Sequence, residues 1–135
     1  MENSPLLTPM LVQMGLMIAI AFWLVWARVG SVVRGKVDIK DVAKDGWQGW
    51  IKNAGDNYAN QYEMPTLFFA ICLTFLVTHS VSPIIVTLAW VFVGFRILHA
   101  LIHVTYNNIN HRFLMFLISA LVVTALFVKL VMALC

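Results

Sequence analysis

Four stretches of the chain are nearly free of polar side chains, and the polar residues gather between them. The apolar runs cover residues 11–29, 64–78, 84–104 and 113–134. A helix needs about 20 apolar residues to cross a hydrocarbon core about 30 Å thick, and three of the runs are about that long. The second is shorter unless its helix begins upstream near residue 54 and carries polar positions through the interface. All four runs are continuous rather than alternating in polarity, which disfavours spanning strands and favours helices that satisfy their backbone internally. The pattern therefore predicts an all-α integral membrane four-helix bundle forming one domain over residues 1–135, with no internal repeat or low-complexity tract. A cleaved leader is the competing reading of the first run. Glu2 and the lack of any Lys or Arg before the run argue against it, as does Arg28 where a small-residue cleavage site would stand.

Polar residues between the runs set an orientation. Arg28, Arg34, Lys36, Lys40, Lys44 and Lys52 lie at or in the connection after the first run, and Arg112 closes the connection after the third. The turn at His79 to Pro83 and the residues before the first run carry no basic side chain, so the rule of cytoplasmic positive charge puts both termini on the far side. Trp47 and Trp50 suggest that part of the long first connection lies along the headgroups as a short interfacial helix. The composition agrees: 61% of the 135 residues are hydrophobic and 11% charged, too little polar surface for a soluble globule of this size. The formal charge of +3 sits mostly in one connection, so no broad basic face for nucleic acid is expected. Cys72 and Cys135 form neither a metal spacing nor a disulfide framework.

Polar residues at membrane depth carry the most information, because a charge near the bilayer centre costs at least about 3 kcal/mol. Asn60 and Glu63, three apart near the cytoplasmic start of the second span, are expected on one helical face. Arg96, His99, His103 and Tyr106 follow at intervals of three, four and three, which predicts a second stripe. Arg96 lies about 12 Å inside the third run at 1.5 Å per residue, and Glu63 is the only carboxylate in any expected span, so an Arg96 to Glu63 pair is expected, direct or through water, within the bundle or across subunits. His99 and His103 lack a further ligand of matching depth other than Glu63, so ligand binding or hydrogen bonding is preferred to metal or haem. Arg112, after Asn107, Asn108, Asn110 and His111, is suited to holding an anion or to solvating the headgroup region, and residue type alone leaves both open. Met14, Met17, Phe22, Trp23 and Trp26 read as packing and lipid contact. Serine nucleophile elbows, phosphate loops and paired catalytic carboxylates are absent from the sequence.

These residues together resemble a known family. Asn60-Gln61-Tyr62-Glu63-Met64-Pro65 opening the second run, Arg96-x-x-His99-x-x-x-His103 in the third and Arg112 at the start of the fourth are similar to the MAPEG family, the membrane-associated proteins in eicosanoid and glutathione metabolism. The resemblance extends over the whole chain. It implies a homotrimer in contact with membrane lipids, with sites between adjacent subunits near the cytoplasmic face. There many members bind glutathione and present its thiolate to a lipophilic electrophile or peroxide. By that resemblance Asn60, Glu63, Arg96 and His99, with His103 and Tyr106, would line the glutathione site, and Arg112 would be the catalytic cation. A guanidinium beside a thiol lowers its pKa. The chain departs from the family pattern in two places. Asn53, Asp56 and Ala59 stand in a stretch that is often basic in glutathione-using members, and His103 replaces a common tyrosine. Two other functions stay open: a non-catalytic member binding a lipid or a partner protein, which Asp56 and His103 favour, and a small haem or quinone protein resting on His99 and His103 alone.

Overall fold

The structure, a computed structural model, describes residues 3–135, and among them there are six helices and no strand. They are α1 (Leu7–Val33), α2 (Ile39–Asp45), α3 (Gly49–Asn60), α4 (Met64–Val77), α5 (Pro83–Val104) and α6 (Ile109–Leu134). Three of them, α1, α5 and α6, are long and apolar enough to cross a membrane. The 14 residues of α4 extend about 21 Å at 1.5 Å each, short of a bilayer core by themselves. The all-α architecture is as the polarity pattern predicts, but three boundaries differ. First, α1 runs beyond residues 11–29 at both ends. Second, α6 begins one turn before residue 113, because the Asn108 side chain caps it by accepting from the backbone N–H groups of Asn110 and His111.

Third, the second apolar run does not extend upstream as one helix. The chain breaks at residues 61–63 and resumes as α4 with Pro65 in its first turn. Proline has no N–H to donate to the carbonyl four residues back, here that of Gln61, and its ring collides with that carbonyl. A continuous helix through this point is therefore excluded, and Glu63 has non-helical angles of φ −91° and ψ −96°.

Two apolar clusters hold the helices. The larger joins Met10 of α1 to Phe68 and Phe75 of α4, Phe92 and Val93 of α5, and Leu126 of α6, and the Phe68 and Phe92 rings stack with centroids 4.4 Å apart. The smaller joins Leu24 and Ala27 of α1 to Ile51 and Ala54 of α3. Large apolar side chains cover the outside, among them Phe22, Leu121 and Met132, which suits a lipid solvent and would be costly in water. At one end of α1, Trp23, Trp26 and Trp50 form a triangle with centroid distances of 5.1, 6.1 and 5.8 Å. The Arg28 guanidinium lies 5.2 Å from the Trp47 ring and passes so close to Gly55 that a Cβ there would meet it at 2.9 Å.

Candidate functional site

The break between α3 and α4 organises the polar interior. A helix end leaves its last carbonyls without intrahelical partners, and these groups need partners when they are buried. Here the Tyr58 and Ala59 carbonyls accept from the backbone N–H groups of Gln61 and Tyr62, and the Asn57 and Asn60 carbonyls accept from side chains. Arg96 Nη2 of α5 donates to the Asn60 carbonyl at 3.1 Å, and Gln61 Nε2 donates to the Asn57 carbonyl at 3.4 Å. Gln13 of α1 in turn donates through Nε2 to Gln61 Oε1 at 3.3 Å. Arg96, with no exposed surface, thus caps the C-terminal end of α3, where the helix dipole favours a cation.

Of the forms expected for the Arg96 to Glu63 pair, the direct one within a single chain is not made. Among the described residues the sole ion pair joins Lys52 and Asp56, at 3.1 Å. Glu63 is exposed on the single chain and makes no side-chain hydrogen bond within it. The physical reason is the Pro65 break: it ends the helical register between Asn60 and Glu63 and presents Arg96 with a free backbone carbonyl instead of a carboxylate.

Asn60 and Glu63 nevertheless meet two of the other expected residues. Together with His99 and Arg112 they line an open cleft of about 260 Å³, whose remaining wall is Ile109, Phe113 and Phe116. The early start of α6 places Arg112 in the first turn of that helix, where Arg112 Nη1 donates to Asn107 Oδ1 at 2.6 Å. Arg96 stands behind Asn60 with Nε and Nη1 unpartnered, and His99 is buried with Nδ1 unpartnered. The cleft therefore offers a carboxylate for an ammonium group, a half-buried guanidinium for an anion, an amide and an imidazole for orientation, and an apolar lip.

The other two expected residues lie elsewhere. His103 is buried with both ring nitrogens unpartnered and faces a separate cavity of about 60 Å³ that includes Trp23, Trp50, Asn53 and Asn107. Its ring is 5.9 Å from that of His99, but it does not line the cleft. Tyr106 leaves the predicted stripe altogether, because α5 stops at Val104; its exposed hydroxyl bonds His111 Nδ1 at 2.9 Å. Asp56, paired with Lys52 on the exposed face of α3, is not among the cleft residues either. The apolar wall of Ile109, Phe113 and Phe116 escaped the sequence reading of the site, as did three polar residues, Gln13, Gln61 and Asn107. A lone glutamine inside the first apolar run was a visible signal for Gln13, and nothing in the sequence marked the other two apart from their neighbours.

No curated protein and no solved structure matched the chain in comparisons with known proteins. The family model of the MAPEG family matches it over residues 6–132, from the residue before α1 to the last turn of α6, and so takes in every element that builds the cleft. The chain belongs to the MAPEG family.

Proposed function

We propose that this protein is a glutathione-dependent transferase or peroxidase acting on lipophilic electrophiles or hydroperoxides. The observation that carries the reading is the convergence of Asn60, Glu63, His99 and Arg112 on one cleft with an apolar lip. Those groups fit a zwitterionic thiol peptide: Glu63 is suited to its ammonium, Asn60 and His99 to its amides, and Arg112 to the thiolate. At about 260 Å³ the cleft lies just under the usual size of a small-molecule site. In this reading one chain supplies one wall, and a neighbouring subunit of a homotrimer supplies the other.

Within the site Arg112 holds the sulfur as the anion, because a nearby positive charge favours the charged form and raises the nucleophilic fraction at neutral pH. Glutathione supplies the thiol. Glu63 and Asn60 fix the peptide so that the sulfur faces the lip, and Ile109, Phe113 and Phe116 form an apolar surface on which a substrate arriving from the lipid rests. Arg96 acts one layer back: by capping α3 at Asn60 it holds the amide and, through the following three residues, Glu63.

The reading includes four membrane crossings, with α3 and α4 together making the second, and both termini away from the cytoplasm. Reporter fusions at Cys135 and between Lys36 and Lys52 are expected to show opposite sides, and a cytoplasmic C-terminus would overturn the orientation. Glutathione titrated calorimetrically into the purified protein is expected to bind at millimolar concentration or below, with thiolate absorbance appearing near neutral pH. An absence of binding there favours the second reading, a non-catalytic member whose cleft takes a lipid or a partner protein. The observation on its side is the acidic Asp56 beside Asn53 where a basic stretch would serve an anionic peptide.

A further inference from the structure

The turn between α5 and α6 is built around Asn107. Thr105 closes α5 by donating its N–H to the Leu101 carbonyl at 3.0 Å, and Asn107 donates its own N–H back to the Ile102 carbonyl at 2.8 Å. Asn107 has φ +48°, a left-handed conformation that glycine adopts without strain and asparagine tolerates. Asn108, the next residue, caps α6. The backbone at 107 would thus be best served by glycine, and what asparagine adds is its side-chain amide. That amide has one partner: Oδ1 accepts from Arg112 Nη1 at 2.6 Å.

Two features make this contact more than local tidiness. Arg112 stands in the first turn of α6, where the helix dipole opposes a cation, so its position does nothing for the helix. Asn107 is also neutral. A carboxylate in its place would hold the guanidinium and cancel its charge, whereas an amide oxygen fixes one of five donors and leaves the whole charge to the cleft. The charged and titratable groups facing that cleft are Glu63 from the α3 to α4 link, His99 from α5 and Arg112 from α6, with Arg96 behind Asn60; on the other side of the turn His103 of α5 shares a small cavity with Asn107, and Tyr106 pairs with His111 of α6.

We propose that Asn107 is a positioning residue for Arg112: it aims the guanidinium into the cleft without neutralising it. The inference rests on the proposed role of Arg112 toward a thiol, and its test separates the two. Two variants are compared with the wild type in detergent, with circular dichroism confirming the helical content of each. Asn107→Gly keeps the left-handed backbone and removes the amide. Asn107→Asp keeps an acceptor and adds a charge. The first readout is the rate at which phenylglyoxal modifies Arg112, followed peptide by peptide by mass spectrometry. The second is the pH midpoint of thiolate absorbance of bound glutathione.

Asn107→Gly is expected to speed Arg112 modification several-fold and to raise the midpoint. Asn107→Asp is expected to leave modification slow and to raise the midpoint by about one unit, because the added carboxylate opposes the thiolate. Unchanged modification of Arg112 in Asn107→Gly overturns the proposal, as does a midpoint that neither variant moves in a wild type that forms thiolate. If the wild type forms no bound thiolate, the reading under Proposed function fails, and the modification rate alone decides whether Asn107 holds Arg112.

Discussion

Arg96→Ala is expected to destabilise the helical bundle by about 3 kcal/mol, the largest stability effect of any single substitution near the cleft. The side chain is fully buried, so its removal leaves a cavity in the middle of α5. It also leaves the part-buried Asn60 carbonyl at the end of α3 without its side-chain donor. One effect runs the other way: Arg96 is itself desolvated with two nitrogens unpartnered, and removing a buried charge recovers part of the loss. Glu63→Gln supplies the contrast, since Glu63 is exposed and unpaired within the chain, and it is expected to change stability by no more than about 1 kcal/mol. Thermal unfolding in detergent followed by circular dichroism measures both. Equal losses for the two variants would mean that Glu63 and Arg96 act as a pair after all, and a loss below about 1 kcal/mol for Arg96→Ala would dismiss the capping role.

Arg112→Ala is expected to lower turnover with glutathione about a hundredfold while leaving the fold intact, the size seen when a group that stabilises developing or resident negative charge is removed. The side chain is half-buried and its one hydrogen bond is to the Asn107 amide, so no buried partner is stranded. In the proposed role a guanidinium contact is stronger to thiolate than to thiol, so the loss is expected to fall on turnover more than on the affinity for glutathione. Steady-state kinetics with a lipophilic electrophile and thiolate absorbance across pH are the measurements. A variant that turns over like the wild type, or forms as much thiolate at neutral pH, would remove Arg112 from the chemistry and shift the assignment to a lipid- or partner-binding cleft.

Much of this protein was legible from its one-dimensional pattern. Long apolar runs fix α1, α5 and α6 because a helix is the one spanning structure that satisfies its backbone within a single segment. Arg96 and His99 stood out because polar groups in apolar runs are costly and seldom placed without cause, and Asn60, Glu63 and Arg112 because they stand at the edges of such runs. Spacing then served where the helix was unbroken and misled where it was not. His99 stays in register with Arg96 on α5, whereas Tyr106 falls past the end of that helix and takes His111 instead of the cleft.

What the tertiary structure decided was which buried groups answer one another. Arg96 was owed a partner by its depth, and residue types pointed to the one carboxylate within reach along the chain. The partner is a backbone carbonyl, freed because Pro65 interrupts the helix at that depth. Every residue carries such a carbonyl, so the sequence does not mark which one is left over. The same holds for Asn107, one asparagine among several in the connection: its amide reaches Arg112 only because the chain turns through a left-handed residue there. Sequence alone determined the apolar spans and which polar residues lie among them, since both follow from transfer between water and hydrocarbon. The partners of those polar residues depend on where helices break and how turns close, and those are properties of the folded chain.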